Sequence, residues 1–154
     1  MTKNTLHFET HINAPAAKVW DTMLQDATYR EWTKVFSPNS YYEGPDGSTM
    51  SSWDTGSKIH FLDGSGSGMY SEIAENRLHE FVSIRHLGMI ADGTIDTESE
   101  EVKKWASAYE NYTLVPDNDG TKVIVDIDIT PEYEDMFKDM WPKALEKLKE
   151  LAEA

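Results

Sequence analysis

The feature that most constrains this sequence is one long amphipathic run near its C-terminal end. Over residues 131–154 the apolar side chains Phe137, Met140, Trp141, Ala144, Leu145, Leu148 and Leu151 fall on one helical face. A stripe of that width must be buried against a second layer. What precedes it is patterned for strands: short stretches at 41–43, 58–62, 69–74, 81–87, 108–115 and 122–129 are separated by Gly, Pro, Asn and Asp. That spacing is the mark of an antiparallel meander. One long helix on one meander predicts an α+β fold, in which a curved antiparallel sheet of roughly six to seven strands wraps the C-terminal helix. Pro142 lies inside the helical run. It cannot donate to the carbonyl four residues back, so a kink is expected over 139–141.

The N-terminal stretch adds a strand and two short helices. Leu6, Phe8, Thr10 and Ile12 alternate with His7, Glu9, His11 and Asn13, the period of a half-buried strand. Pro15 suits a first helical turn, and Ala16, Val19, Trp20, Met23 and Leu24 then recur on one face. Asp26 is placed to cap a second short helix that carries Tyr29 and Trp32 inward. The connections at 63–68 and 116–120 supply the Gly and Asn positions that tight hairpin turns need. The Gly-Ser run in the first is not a phosphate loop, since no Lys-Ser/Thr pair and no helix follow it. Thr97 and Glu100 have capping-box spacing, with Val102, Trp105 and Ala106 on one face behind them. This predicts a short helix inside a long connection, placed as a lid over a site.

Length and charge narrow the function classes. At 154 residues the chain can bury one core, so a single domain over 1–154 is expected. Cysteine is absent, which removes disulfides and thiolate metal sites. No apolar run reaches the roughly 20 residues that span a bilayer, and the opening residues do not form a signal peptide. The expectation is a cytoplasmic protein without integral membrane contact. A net charge of −14 argues against binding nucleic acid or an anionic membrane surface. The acidic segments 92–101 and 132–139 form either a solvated face or a surface for a protein partner.

Four phrases carry a family resemblance: residues 12–20 (INAPAAKVW), 56–61 (GSKIHF), Tyr112-Thr113-Leu114 with Gly120-Thr121, and 141–145 (WPKAL). With the element order they resemble the helix-grip SRPBCC superfamily, which includes START-like lipid carriers and polyketide cyclase-like proteins. The nearest branch is the bacterial one related to the heat-shock-chaperone ATPase activator. The resemblance covers nearly the whole chain and implies a cavity between sheet and C-terminal helix. It implies no catalytic motif and no cofactor.

Parity singles out one polar pair. If Val82 and Ile84 point inward, His86 does too, and Tyr112 and Leu114 inward turn Glu110 the same way. Such a pair either satisfies itself in a polar corner of the core, or meets a ligand, or works as an oriented acid and base. His7, Glu9 and His11 share the opposite, solvent-facing side of their strand. Alternate strand residues stand roughly 7 Å apart, too far for all three to reach one metal ion. The candidate ligand-binding residues are therefore Trp32, Phe36, Trp53, Tyr70, His86, Trp105, Tyr109, Glu110, Met140 and Trp141. Met69, Met89 and Met136 are further adaptable lining. The five tryptophans and seven tyrosines exceed what a core of this size needs, and pocket walls favour rings with a polar handle. No nucleophile elbow and no His-Glu-x-x-His occur, which argues against an ordinary hydrolase.

Three functions remain open: a carrier or sensor for a small apolar or amphipathic molecule, a cyclase- or dehydratase-like enzyme using the same cavity, and a chaperone-associated interaction module. A cavity of roughly 300 Å³ or more favours the first two, and a filled interior the third.

Overall fold

The structure is a computed structural model that describes residues 4–44 and 53–154. The chain begins with β1 (Asn4–Ile12), α1 (Ala16–Leu24) and α2 (Asp26–Trp32), and a 3-10 turn extends α2 over Thr33–Val35. The strands β2 (Tyr41–Glu43), β3 (Lys58–Leu62), β4 (Gly68–Arg77), β5 (Phe81–Ala91) and β6 (Thr94–Asp96) follow. After α3 (Glu100–Lys103) come β7 (Ala108–Asp117), β8 (Gly120–Ile129) and the long helix α4 (Glu134–Glu153). This is the α+β helix-grip arrangement: the sheet runs β1-β8-β7-β5-β4-β3-β2 with every pair antiparallel, and β6 adds to β5.

Helix and sheet meet through the stripes that the periodicities place there. Val19, Trp20, Met23 and Leu24 of α1 are buried with Trp141, Ala144, Leu145 and Leu148 of α4 against Val82, Ile84, Tyr112, Leu114, Val123 and Val125 of the sheet. At its C-terminal end α4 is tied to the open edge of β1. Lys149 Nζ donates to the His11 carbonyl at 2.9 Å, and Glu153 accepts from the Asn13 backbone N–H at 2.8 Å.

Several local expectations are corrected. Asp26 is not the cap of α2: Gln25 occupies that position, and the Asp26 carboxylate pairs with Arg30 one turn on. Ser99 rather than Thr97 caps α3, its hydroxyl accepting from Val102 N–H. The long connection after β5 is partly absorbed into the sheet, as β6. Asp92 and Gly93, at φ 51° and 79°, make a two-residue turn that folds β6 back on β5. An Asp-Gly pair between extended residues is a strong hairpin signal.

α4 continues through Pro142 instead of being interrupted by it. The proline is exposed, and without an N–H it leaves the Lys138 carbonyl unpaired within the helix. Pro142→Ala restores that bond but loosens the unfolded chain. Against an interior-proline penalty of about 3 kcal/mol, a net stabilisation of about 1–2 kcal/mol is expected. Denaturant midpoints would measure it, and a loss of stability would mean that the proline is part of how α4 docks.

Candidate functional site

The α1–α2 junction builds one wall of the site. The last carbonyls of a helix lack internal donors, and here two aromatic side chains supply them. Trp32 Nε1 donates to the Met23 carbonyl at 3.1 Å, and the Tyr42 hydroxyl donates to the Leu24 carbonyl. Those two bonds hold Trp32, 2 % exposed, and the Tyr42 ring against the inner sheet face. Tyr29 packs edge-on to both, at centroid distances of 5.9 Å from Trp32 and 5.0 Å from Tyr42. Phe61 of β3 and Trp53 extend the wall, 6.0 Å apart.

The opposite wall carries a chain of polar contacts. A bulge at Leu87 resets the β4–β5 register, so that Ser71 rather than Glu72 stands opposite His86. Ser71 Oγ lies 2.6 Å from His86 Nδ1, and His86 Nε2 lies 3.0 Å from Glu110 Oε1. The Tyr112 hydroxyl donates to the other Glu110 oxygen. The His86 and Glu110 side chains are only 12 % and 22 % exposed. With Nδ1 accepting from Ser71 and Nε2–H donating to Glu110, a neutral imidazole leaves every proton in the chain an acceptor.

Between the walls lies a void of ≈ 20 Å³, lined by Met23, Leu24, Tyr29, Trp32, Trp53, Phe61, Ile84, Glu110 and Tyr112. That is room for about one water-sized group. It falls far short of the size set above for a carrier cavity, so the interior is largely filled. The void also lies between the sheet and the α1–α2 junction, not against α4, none of whose residues lines it.

The candidate residues therefore divide. Trp32, Trp53 and Glu110 line the void, and His86 stands directly behind Glu110. Trp141 and Phe36 form the next layer, with Trp141 6.0 Å from Trp32 and 5.0 Å from Phe36. Tyr109 does not belong: it neighbours Glu110 on one strand, must face the other way, and is 36 % exposed. Tyr70 turns outward by the same rule from buried Ser71 and packs on His60 at 5.5 Å. Trp105 and Met140 are half-buried but line nothing here, and no residue of 92–107 covers the void, so that segment is not its lid. Met89 and Met136 are exposed, and Met69, half-buried opposite Phe61, does not line the void. Met23, Leu24, Tyr29, Phe61, Ile84 and Tyr112 complete the lining; of these Phe61 alone carried no signal, since helical period placed Met23, Leu24 and Tyr29, and strand parity Ile84 and Tyr112, on inward faces. Ser71 carried none, since its place depends on the bulge.

Hydroxyl, imidazole and carboxylate in sequence are the parts of an activated nucleophile. Ser71, however, is completely buried and does not border the void, so its hydroxyl meets no reacting group. It positions His86. On the solvent side of β1 the histidines do not converge: His7 is held by Glu9 and Asp126, and His11 by Asp117 and Asn13.

Burial pushes the phenols of Tyr29 and Tyr112 well above their ordinary value of 10.0, and the Glu110 charge pushes them further. Both stay protonated, as donation from Tyr112 requires. Below pH 10 folded and unfolded chains alike hold these protons, and the full stability is present. Above it the unfolded chain ionises first, so stability falls as pH rises toward the folded-state values, by up to about 1.4 kcal/mol per pH unit for each tyrosine. Thermal melts at increasing alkaline pH should decline from about pH 10. Reversible titration of all seven tyrosines near their ordinary value in the intact fold would contradict this.

The chain matches the family model described as "Activator of Hsp90 ATPase homolog 1-like protein" over residues 13–153. It belongs to that family. Among solved structures, this family member is similar to a protein from Mesorhizobium loti, at 16 % identity and TM-score 0.71, with 96 % of each chain covered. It is also similar to an Aha1 dimer from Colwellia psychrerythraea, at 15 % identity and TM-score 0.70 over 97 % of this chain and 96 % of that one. A third similar structure is CalU16 from Micromonospora echinospora, at 13 % identity and TM-score 0.63 over 97 % and 76 % of the two chains. At such identities these likenesses establish the fold alone. No curated protein matches the chain. Among the described residues, no helix of this family member is long and apolar enough to cross a membrane.

Proposed function

We propose that this protein binds a small molecule whose polar end meets Glu110 and Tyr112 and whose apolar part lies among Trp32, Trp53 and Phe61. The observation that carries the reading is the Ser71–His86–Glu110–Tyr112 chain, which brings a carboxylate and a phenol to an aromatic-walled void. Packing alone does not call for it, because a well-packed apolar core of equal volume is commonly at least as stable as a buried ionisable cluster. Such clusters concentrate at functional sites. The small void sets a condition: anything larger than a water-sized group must displace side chains on entry. Trp53 and Phe61, only partly buried, are the wall that yields.

Native mass spectrometry of protein purified from its own host tests this. A bound mass absent from Glu110→Gln protein is the expected result, and an unliganded chain under gentle conditions would count against it.

The filled interior favours a second reading, in which the acidic surface docks on a chaperone ATPase, as the family description suggests. A change in the ATPase rate of an Hsp90-class chaperone on adding this protein, surviving Glu110→Gln, would favour that reading over the first.

A further inference from the structure

We infer that the group this void takes is a compact cation, the head of a primary alkylammonium. The inference rests on the small-molecule reading above and names the chemistry of its ligand. It begins with charge balance. With a neutral imidazole the Ser71–His86–Glu110–Tyr112 chain satisfies all its own protons and still carries one negative charge, on Glu110. Among the described residues His86 is the one ion-pair partner of Glu110, and no lysine or arginine neutralises it. The carboxylate keeps acceptor capacity too: its two oxygens offer about four lone-pair positions, and two are used.

The surroundings select the sign of the ligand. Tyr29, Trp32, Trp53, Phe61 and Tyr112 bring five aromatic rings to the same void, and ring quadrupoles attract cations in a desolvated setting. An anion would meet Glu110 head-on. A neutral hydroxyl could accept or donate one hydrogen bond but would leave the charge unbalanced. The void's ≈ 20 Å³ then selects the size. An –NH₃⁺ group is close to water-sized and donates three hydrogen bonds, whereas a quaternary ammonium carries a carbon shell that the rings leave no room for. The net charge of −14 adds long-range attraction for any cation approaching the surface.

Titration calorimetry with n-hexylammonium, n-hexanol and tetramethylammonium tests this on the whole chain. Hexylammonium is expected to bind at least about tenfold more tightly than hexanol, and tetramethylammonium no better than hexanol. Glu110→Gln should remove at least about tenfold of the amine affinity and leave hexanol unchanged. Trp53→Leu should weaken the amine more than the alcohol, so the comparison stands even if the Glu110 variant folds poorly. Amine binding undiminished by Glu110→Gln would mark adsorption to the acidic surface and overturn the inference. Hexanol binding as tightly as hexylammonium would overturn the cation assignment while leaving the small-molecule reading intact, and tetramethylammonium matching hexylammonium would overturn the size argument. Absence of heat with every probe, together with no co-purifying mass, would remove both.

Discussion

Trp141→Ala is expected to lose about 3–5 kcal/mol of stability, the range for emptying a large aromatic site in a packed core. Trp141 is 3 % exposed and joins the two layers of the fold. Its ring lies 6.0 Å from Phe8 of β1, 6.1 Å from Tyr112 of β7, 6.0 Å from Trp32 of α2 and 5.0 Å from Phe36. Those neighbours come from β1, α2, the turn after it and β7, and cannot all relax into the space at once, which places the loss toward the upper end. The indole N–H is buried without an acceptor among the described residues. Trp141→Phe therefore sacrifices no hydrogen bond and should lose only about 1–2 kcal/mol. Equilibrium unfolding in urea measures both. A loss below about 1 kcal/mol for the alanine variant would mean that α4 is not anchored through this residue.

Glu110→Ala should lose about 2–3 kcal/mol, since it strands two donors in the interior, the Tyr112 hydroxyl and the His86 Nε2–H. The sharper test is a double-mutant cycle with Tyr112→Phe. If the phenol donates to the carboxylate, removing both should cost less than the sum of the single losses, by about 1 kcal/mol or more. Additive losses would show that the two side chains do not depend on each other. The discount for solvent is modest at 22 % exposure, and high salt should change the coupling little.

How much of this was legible in the sequence depended on range. Strand parity alone placed Val82, Ile84 and His86 on one face and Glu110, Tyr112 and Leu114 on another, and the two polar residues do meet. The same rule, applied consistently, rejects Tyr109 beside Glu110. The helical stripe from Trp141 to Leu148 likewise followed from period, because burial of a helix face is a local consequence of spacing. What stayed hidden depended on partners distant in the chain. Ser71 reaches His86 through a bulge that no local pattern announces, and the void's place under α1–α2 depends on how Trp32 and Tyr42 reach the end of α1. The Asp92-Gly93 turn was readable, but its acidic neighbours draw attention to charge instead of backbone shape.

The pairing of β1 with β8 has a consequence in time. Asn4 stands opposite Ile129 and Ile12 opposite Thr121, so β1, at the sheet edge, has no strand to pair with until β8 is in place. Contacts this far apart in sequence slow folding, because the chain loses closure entropy before any contact repays it. During synthesis Leu6, Phe8 and Ile12 emerge before the sheet they join, while β8 and α4 follow all the other strands. The growing chain therefore carries an unpaired strand and an exposed apolar face until β8 and α4 have been made, and that interval is when it is most open to aggregation and to capture by chaperones.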